Sequence, residues 1–100
     1  MQCKITRNAA KVILKELEQE EHKELKVRVY VTHAHGDHAH YGLSLDKPTD
    51  ADEVVQTDKE IEIIMERGNS YLDGVKIDYI YTPQEGFVIT NPAKGNHGDH

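Results

Sequence analysis

The feature that most constrains this chain is a run of histidines that directly follows a strand-like segment. Residues 31–40 read VTHAHGDHAH and hold four of the seven histidines. The segment before them, Leu25–Val31, alternates apolar and polar residues, as a half-buried strand does. Neutral imidazole is a common ligand for zinc, copper, iron and nickel, and aspartate adds an oxygen donor. We therefore predict a metal-binding loop at the end of this strand, with the candidate ligands His33, His35, Asp37, His38 and His40.

The C-terminal tail repeats part of this run. Residues 93–100 read AKGNHGDH, and the string HGDH also occupies residues 35–38. The tail has no core-forming residues, so we expect it to be disordered on its own. Two interpretations stay open. Either the tail folds back and donates His97 and His100 to the same metal, within one chain or across a homodimer, or the repeat is a coincidence in a polar segment.

Length, charge and cysteine content limit the class of protein. One hundred residues give one domain with a modest core, and a net charge of -6 argues against a nucleic-acid binder. No apolar run is long enough to span a bilayer, and residues 1–6 lack the apolar segment of a signal peptide, so we expect a cytoplasmic protein that does not bind membranes. The single cysteine, Cys3, excludes an internal disulfide and a multi-cysteine metal site within one chain; we expect a buried thiol.

The order of periodic segments predicts the fold class. Thr6 is a suitable cap for a helix that begins at Arg7 and ends near residues 20–22, and only short strands follow it. We predict an α+β, mostly β domain of the β-sandwich type over residues 1–92, with one N-terminal helix packed on short mixed strands. The polar tail of residues 93–100 follows this domain. The predicted later segments are Tyr41–Asp46, Glu53–Gln56, Glu60–Met65, Val75–Tyr81 and Gly86–Thr90 as strands, and Arg67–Tyr71 as a helical turn.

One resemblance is confined to the histidine run. The string THAHGDH at residues 32–38 matches the HxHxDH signature of metallo-β-lactamase-fold hydrolases, which also follows a strand. That resemblance implies a metal-dependent hydrolase whose metal ions activate a water molecule. However, the family's fold consists of two packed αββα halves, with further ligands from long downstream segments that this chain lacks. A motif outside its structural context is weak evidence, so hydrolysis is kept as an alternative.

A second resemblance covers nearly the whole chain. The segments VRVYV (27–31) and YGLSLD (41–46), the segment YLDGVKIDY (71–79) and the ending GFVITNP (86–92) occur in the order and spacing of the HesB/IscA family of A-type iron–sulfur carriers. In that family the third segment reads FLDG-x-x-[LI]-D-[FY]. The resemblance implies a small HesB-like domain with one helix, a homodimer or higher homo-oligomer, and iron–sulfur assembly proteins as partners.

The departure from this family concerns its ligands. The family binds iron or a small cluster through three cysteines, one in the loop after the central strand and two in the tail. Aligned without gaps, the loop cysteine falls on Gly36, and the tail pair falls in the region of residues 97–100. Histidines therefore gather where the family has thiolates, and nitrogen and oxygen donors suit a single iron, zinc or nickel ion better than an iron–sulfur cluster.

We predict from this a non-enzymatic, HesB/IscA-like metal-binding protein that uses a His/Asp-rich loop instead of cysteines. Its cofactor is expected to be a divalent metal, iron, zinc or nickel, and its role to be linked to iron–sulfur cluster assembly or iron donation. A metal-dependent hydrolase and an interaction domain without metal are the two alternatives.

Overall fold

The chain forms two β-sheets and one helix in the part that the structure describes, residues 1–19, 21 and 23–92. This computed structural model agrees with the predicted α+β, mostly β class. Its elements are β1 (Cys3–Ile5), α1 (Arg7–Leu17), β2 (Lys26–His35), β3 (His38–Asp46), β4 (Asp52–Gln56), β5 (Glu62–Glu66), β6 (Val75–Ile80) and β7 (Gly86–Thr90).

The helix begins where the sequence predicts and ends earlier. The Thr6 hydroxyl accepts a hydrogen bond from the amide of Ala9 and donates one to Asp78 at 2.7 Å, which fixes the first turn against β6. Three residues at helical spacing are buried, Ala9, Ala10 and Ile13. The helix ends at Leu17 instead of residues 20–22, because the polar run that follows has no apolar side chain to bury.

The two sheets differ in size and share one core. The smaller sheet has the order β1-β6-β7 and the larger one the order β3-β2-β5-β4. Strand β1 pairs with β6 and β2 with β5 in parallel, whereas the hairpin pairs are antiparallel. Both sheets and the helix contribute to the core, and Cys3 is buried in it as expected. The largest fully buried apolar side chains are Ile5, Val29, Ile63, Ile64, Met65, Leu72, Val75 and Ile77.

Several predicted boundaries need correction. The predicted helical turn at Arg67–Tyr71 is a series of turns, held by main-chain bonds such as Leu72 to Asn69 at 3.1 Å. The fifth strand begins at Glu62 rather than at Glu60, which has a positive φ of 61° and lies in the turn before it. Strand β7 has the predicted bounds. The second and third strands are longer than predicted, which changes the candidate site described below.

An ion-pair network lies on the outer face of the larger sheet, meaning the face turned away from the core. Arg28 on β2 donates to both carboxylate oxygens of Asp52 on β4, one of them at 2.8 Å, and to Asp46 at 3.0 Å. The Arg28–Asp52 bridge therefore crosses β5. Ile64 on β5 pairs with Arg28 in the ladder, and it is completely buried although it does not face the core.

In the described ranges, none of the helical segments has both the length and the apolar composition that a membrane crossing requires.

Candidate metal site

The histidine run forms the end of a β-hairpin and not a loop, which corrects the prediction. Strand β2 continues to His35, β3 begins at His38, and only Gly36 and Asp37 lie in the turn. Gly36 has a φ of +63°, whereas Asp37 has no positive φ. This is the φ pattern of a type II′ turn, whose twist matches that of the flanking strands. The tight turn lets the strands pair as far as His35 and His38, so no flexible loop remains.

A β-bulge at Thr32 sets the face on which the β2 histidines lie. The ladder pairs Val31 with Tyr41 and then His33 with His40, so Thr32 is an extra residue on β2. By simple alternation, His33 would lie on the same, core-directed face as Val31. The extra residue shifts the phase of the strand by one, which turns His33 to the outer face.

As a result, the four histidines of the hairpin share the outer face. They form two cross-strand pairs, His33 with His40 and His35 with His38. Ala39, which lies between these pairs on the opposite face, is buried, whereas all four histidines are exposed. We call this set of His33, His35, His38 and His40 the histidine grid.

The spacing within the grid is close to that of a chelating pair. The ring centroids of His33 and His40 lie 6.1 Å apart, with the planes tilted by 42°. Two imidazoles on one tetrahedral zinc have centroids about 5 Å apart, given zinc–nitrogen bonds of about 2.0–2.1 Å. Side-chain rotations that close the gap by about 1 Å would bring the two rings to that separation.

The neighbours of the grid define its limits. At the turn, an Asp37 carboxylate oxygen lies 3.9 Å from Nε2 of His38. Toward the body of the domain, the next outer-face pair is Tyr30 and Gly42, where a Cβ on the glycine would lie 2.6 Å from the tyrosine ring. The Tyr30 ring thus fills that side, and the grid is open to solvent on the other.

No complete ligand set is assembled by the described residues. Among them, no group of three or more histidine, cysteine, aspartate or glutamate side chains is arranged to hold a metal ion. The hairpin brings its candidate ligands together in pairs. The other candidates, His97 and His100, lie outside the described residues, as does the predicted tail of residues 93–100. Metal binding by these residues stays a prediction.

A cluster of hydrogen bonds joins the hairpin tip to the last described residues. The Tyr71 hydroxyl donates to the carbonyl oxygen of Gly36 in the hairpin turn. The main-chain carbonyl of Tyr71 accepts from the Tyr41 hydroxyl at 2.6 Å and from the side-chain amide of Asn91 at 2.9 Å. Asn91 is fully buried and also donates to the carbonyl of Asp73 at 2.8 Å.

Sequence reasoning missed three residues of this arrangement, Thr32, Tyr71 and Asn91. Tyr71 did carry a signal, because the HesB/IscA pattern has phenylalanine at the corresponding position, which lacks a hydroxyl. The bulge at Thr32 had no local signal.

The thiol of Cys3, the single cysteine, does not suit an iron–sulfur cluster. Burial, and then the negative charge of Asp58, raise the pKa of Cys3 to about 12, so the thiolate that binds metal is disfavoured. Cys3 also lies on β1 of the smaller sheet, whereas the histidine grid belongs to the larger one. The described residues therefore do not fit a thiolate-held cluster.

Comparison with known proteins identifies the family. No family model matches the sequence. An iron-sulfur cluster insertion protein ErpA from Buchnera aphidicola is 39% identical over 93 residues, which cover 91% of this chain and 84% of the relative. Proteins of the same name from Marinobacter nauticus and Shewanella denitrificans are 33% and 34% identical, over 87% and 92% of this chain and 81% of each relative. With this identity over most of both sequences, the chain belongs to the HesB/IscA family of A-type iron–sulfur carriers.

Proposed function

We propose that this chain is a metal-binding member of its family that holds a divalent iron, zinc or nickel ion on the histidine grid. The observation that carries the proposal is the placement of four imidazoles on one exposed face, as two cross-strand pairs, by the bulge at Thr32. Relatives named iron-sulfur cluster insertion proteins support a role linked to cluster assembly or iron donation, with assembly proteins as partners. In this role the metal is cargo, and the chain is a carrier rather than an enzyme.

The donor chemistry explains why a single ion is the expected cargo. Each cross-strand pair supplies two nitrogen donors, and Asp37 adds a carboxylate beside the turn. Zinc in structural sites takes four ligands, so one pair leaves room for two more. A hydrolase would require a general base and an open position in a shaped pocket, and the grid lies on an exposed sheet face instead.

The tail is the proposed source of the missing ligands. Asn91 is held to Tyr71, whose hydroxyl contacts the hairpin turn, so the last described residues are connected to the end of the hairpin that carries the grid. His97 follows the last described residue, Pro92, by five positions, a span of up to about 17 Å of extended chain. That reach supports the assignment of His97 and His100 as additional ligands.

Metal content of the untagged protein as purified tests the proposed function. We expect close to one iron, zinc or nickel ion per chain. We also expect no acid-labile sulfide and no sulfide-to-iron absorption bands, even when purification excludes oxygen. A brown protein with stoichiometric sulfide contradicts the proposed cargo, and a metal-free protein that takes up none of these ions contradicts metal binding itself.

Deleting residues 96–100 should lower the affinity for Zn²⁺ by about tenfold or more, because the deletion removes one or two donors. Titration calorimetry of the truncated and full-length apo-proteins measures the difference. Equal affinities would show that the tail histidines are not ligands.

A complementation experiment separates a tail that acts within its own chain from one that acts across a homodimer. The truncated chain is mixed with a full-length chain that carries H33A and H40A. Recovery of tight binding in the mixture indicates that the tail of one copy completes the hairpin of another, and thereby a homodimer. Binding that stays weak indicates completion within one chain.

A further inference from the structure

We infer that Tyr71 is a positioning residue that fixes the hairpin tip, and with it the histidine grid, relative to the end of the described domain at Asn91. The inference rests on the proposed function, because it assigns a role in the assembly of the same metal site. It concerns a residue 35 positions away from the turn that it contacts.

The first step is that Tyr71 is itself held rigidly. Its main-chain carbonyl accepts two hydrogen bonds, from the Tyr41 hydroxyl at 2.6 Å and from Asn91 at 2.9 Å. Its amide donates to the side chain of Asn69 at 3.0 Å. Leu72, the next residue, is fully buried. The backbone of Tyr71 is thus fixed by β3, by the end of the domain and by the core.

The second step is that the Tyr71 side chain connects this fixed point to the hairpin turn. Among the described residues, its hydroxyl donates the one side-chain hydrogen bond that Gly36 accepts. Gly36 lies between His35 and Asp37, directly beside the outer histidine pair. Since this end of the hairpin is exposed, a hydroxyl anchored to the body restrains where the outer pair and Asp37 lie. Such orienting contacts around ligands typically change metal affinity by about 10–100-fold.

The third step is that the phenolic oxygen is separable from the rest of the cluster. Phenylalanine at this position keeps the backbone carbonyl, and therefore keeps the bonds from Tyr41 and Asn91. It removes only the bond to Gly36.

The Y71F variant tests the inference, and Y79F is its matched control. Tyr79 also has one side-chain hydrogen bond, 2.5 Å to Glu85, but it lies on β6 of the smaller sheet. We expect Y71F to weaken Zn²⁺ binding by about tenfold or more. The absorption spectrum of bound Co²⁺, which reports coordination geometry, should also change. Y79F should leave the Zn²⁺ affinity and the Co²⁺ spectrum unchanged. Y71F and Y79F should have the same midpoint temperature of thermal unfolding.

Backbone NMR relaxation of the apo-protein gives a readout that does not depend on metal. In Y71F, but not in Y79F, residues 35–38 should become more mobile on the picosecond-to-nanosecond timescale. Unchanged relaxation, together with wild-type affinity and an unchanged Co²⁺ spectrum, would overturn the role of Tyr71 while leaving the proposed function intact. If the wild-type chain binds no metal, the proposed function fails, whereas increased mobility of the tip in Y71F still supports the anchoring.

Discussion

Replacing both His33 and His40 with alanine should lower the affinity for Zn²⁺ by at least about 100-fold, because it removes two proposed ligands. Loss of a residue that only orients a metal ligand already lowers metal affinity by about 10–100-fold. This pair has adjacent rings, with centroids 6.1 Å apart, and thus supplies the inner half of the grid. Both side chains are exposed, so the fold should be retained. Calorimetry of the apo-proteins with Zn²⁺, Ni²⁺ and, without oxygen, Fe²⁺ measures the change.

Two controls make this test specific for the face of the hairpin. The H22A variant removes one histidine outside the hairpin and should bind as the wild type does. The double variant H33A/A34H keeps the number of hairpin histidines but moves one imidazole to the opposite face, where Ala34 and Ala39 pair. It should lose as much affinity as H33A alone. If H33A/A34H binds Zn²⁺ with the affinity of the wild type, binding depends on the number of histidines in the hairpin and not on the face where they lie.

The D52N variant should lower the free energy of unfolding by about 3 kcal/mol at pH 7, the lower end of the range for breaking a buried ion pair. The Asp52 side chain is only 2% exposed, and the variant leaves the Arg28 guanidinium without its bidentate partner. Hydrogen bonds to Asp52 from the amide and hydroxyl of Thr49 are perturbed as well. Urea unfolding at pH 7 measures the loss.

The pH dependence of stability provides the second readout of this network. The hydrogen bonds from Arg28 hold the pKa of Asp52 at about 2, below its value of about 3.9 in an unfolded chain. A lowered carboxyl pKa stabilises the fold above about pH 4, and this contribution is lost as the pH falls toward about 2. D52N should lack this part of the acid transition. The E62Q variant, which breaks the exposed Lys26–Glu62 pair, should cost less than about 1 kcal/mol. Equal losses in D52N and E62Q would contradict the role of the network.

Local sequence patterns were sufficient for most of the framework. The start of α1 after the Thr6 cap follows from the residue types there, and the bounds of β7 follow from a short apolar run that ends before Asn91 and Pro92. These features depend on residues that are neighbours in the chain. The one-helix, mostly β class follows from their order.

The site depended on interactions that no local pattern contains. The bulge at Thr32 arises from the pairing of two strands and a two-residue turn, so alternation along β2 alone assigns His33 to the wrong face. Ile64 is buried away from the core because an ion pair between β2 and β4 crosses it. The bond from Tyr71 to Gly36 joins residues far apart in sequence. Each of these requires the tertiary arrangement.

The most direct test of the central claim is a titration of the apo-protein with Zn²⁺, followed by side-chain NMR of the seven histidines. The grid account predicts that the imidazole signals of His33, His35, His38 and His40 shift and saturate together near one equivalent. The proposed tail ligands, His97 and His100, should follow them, and His22 should not change. Unchanged signals from the four grid histidines at saturating Zn²⁺ would contradict the account.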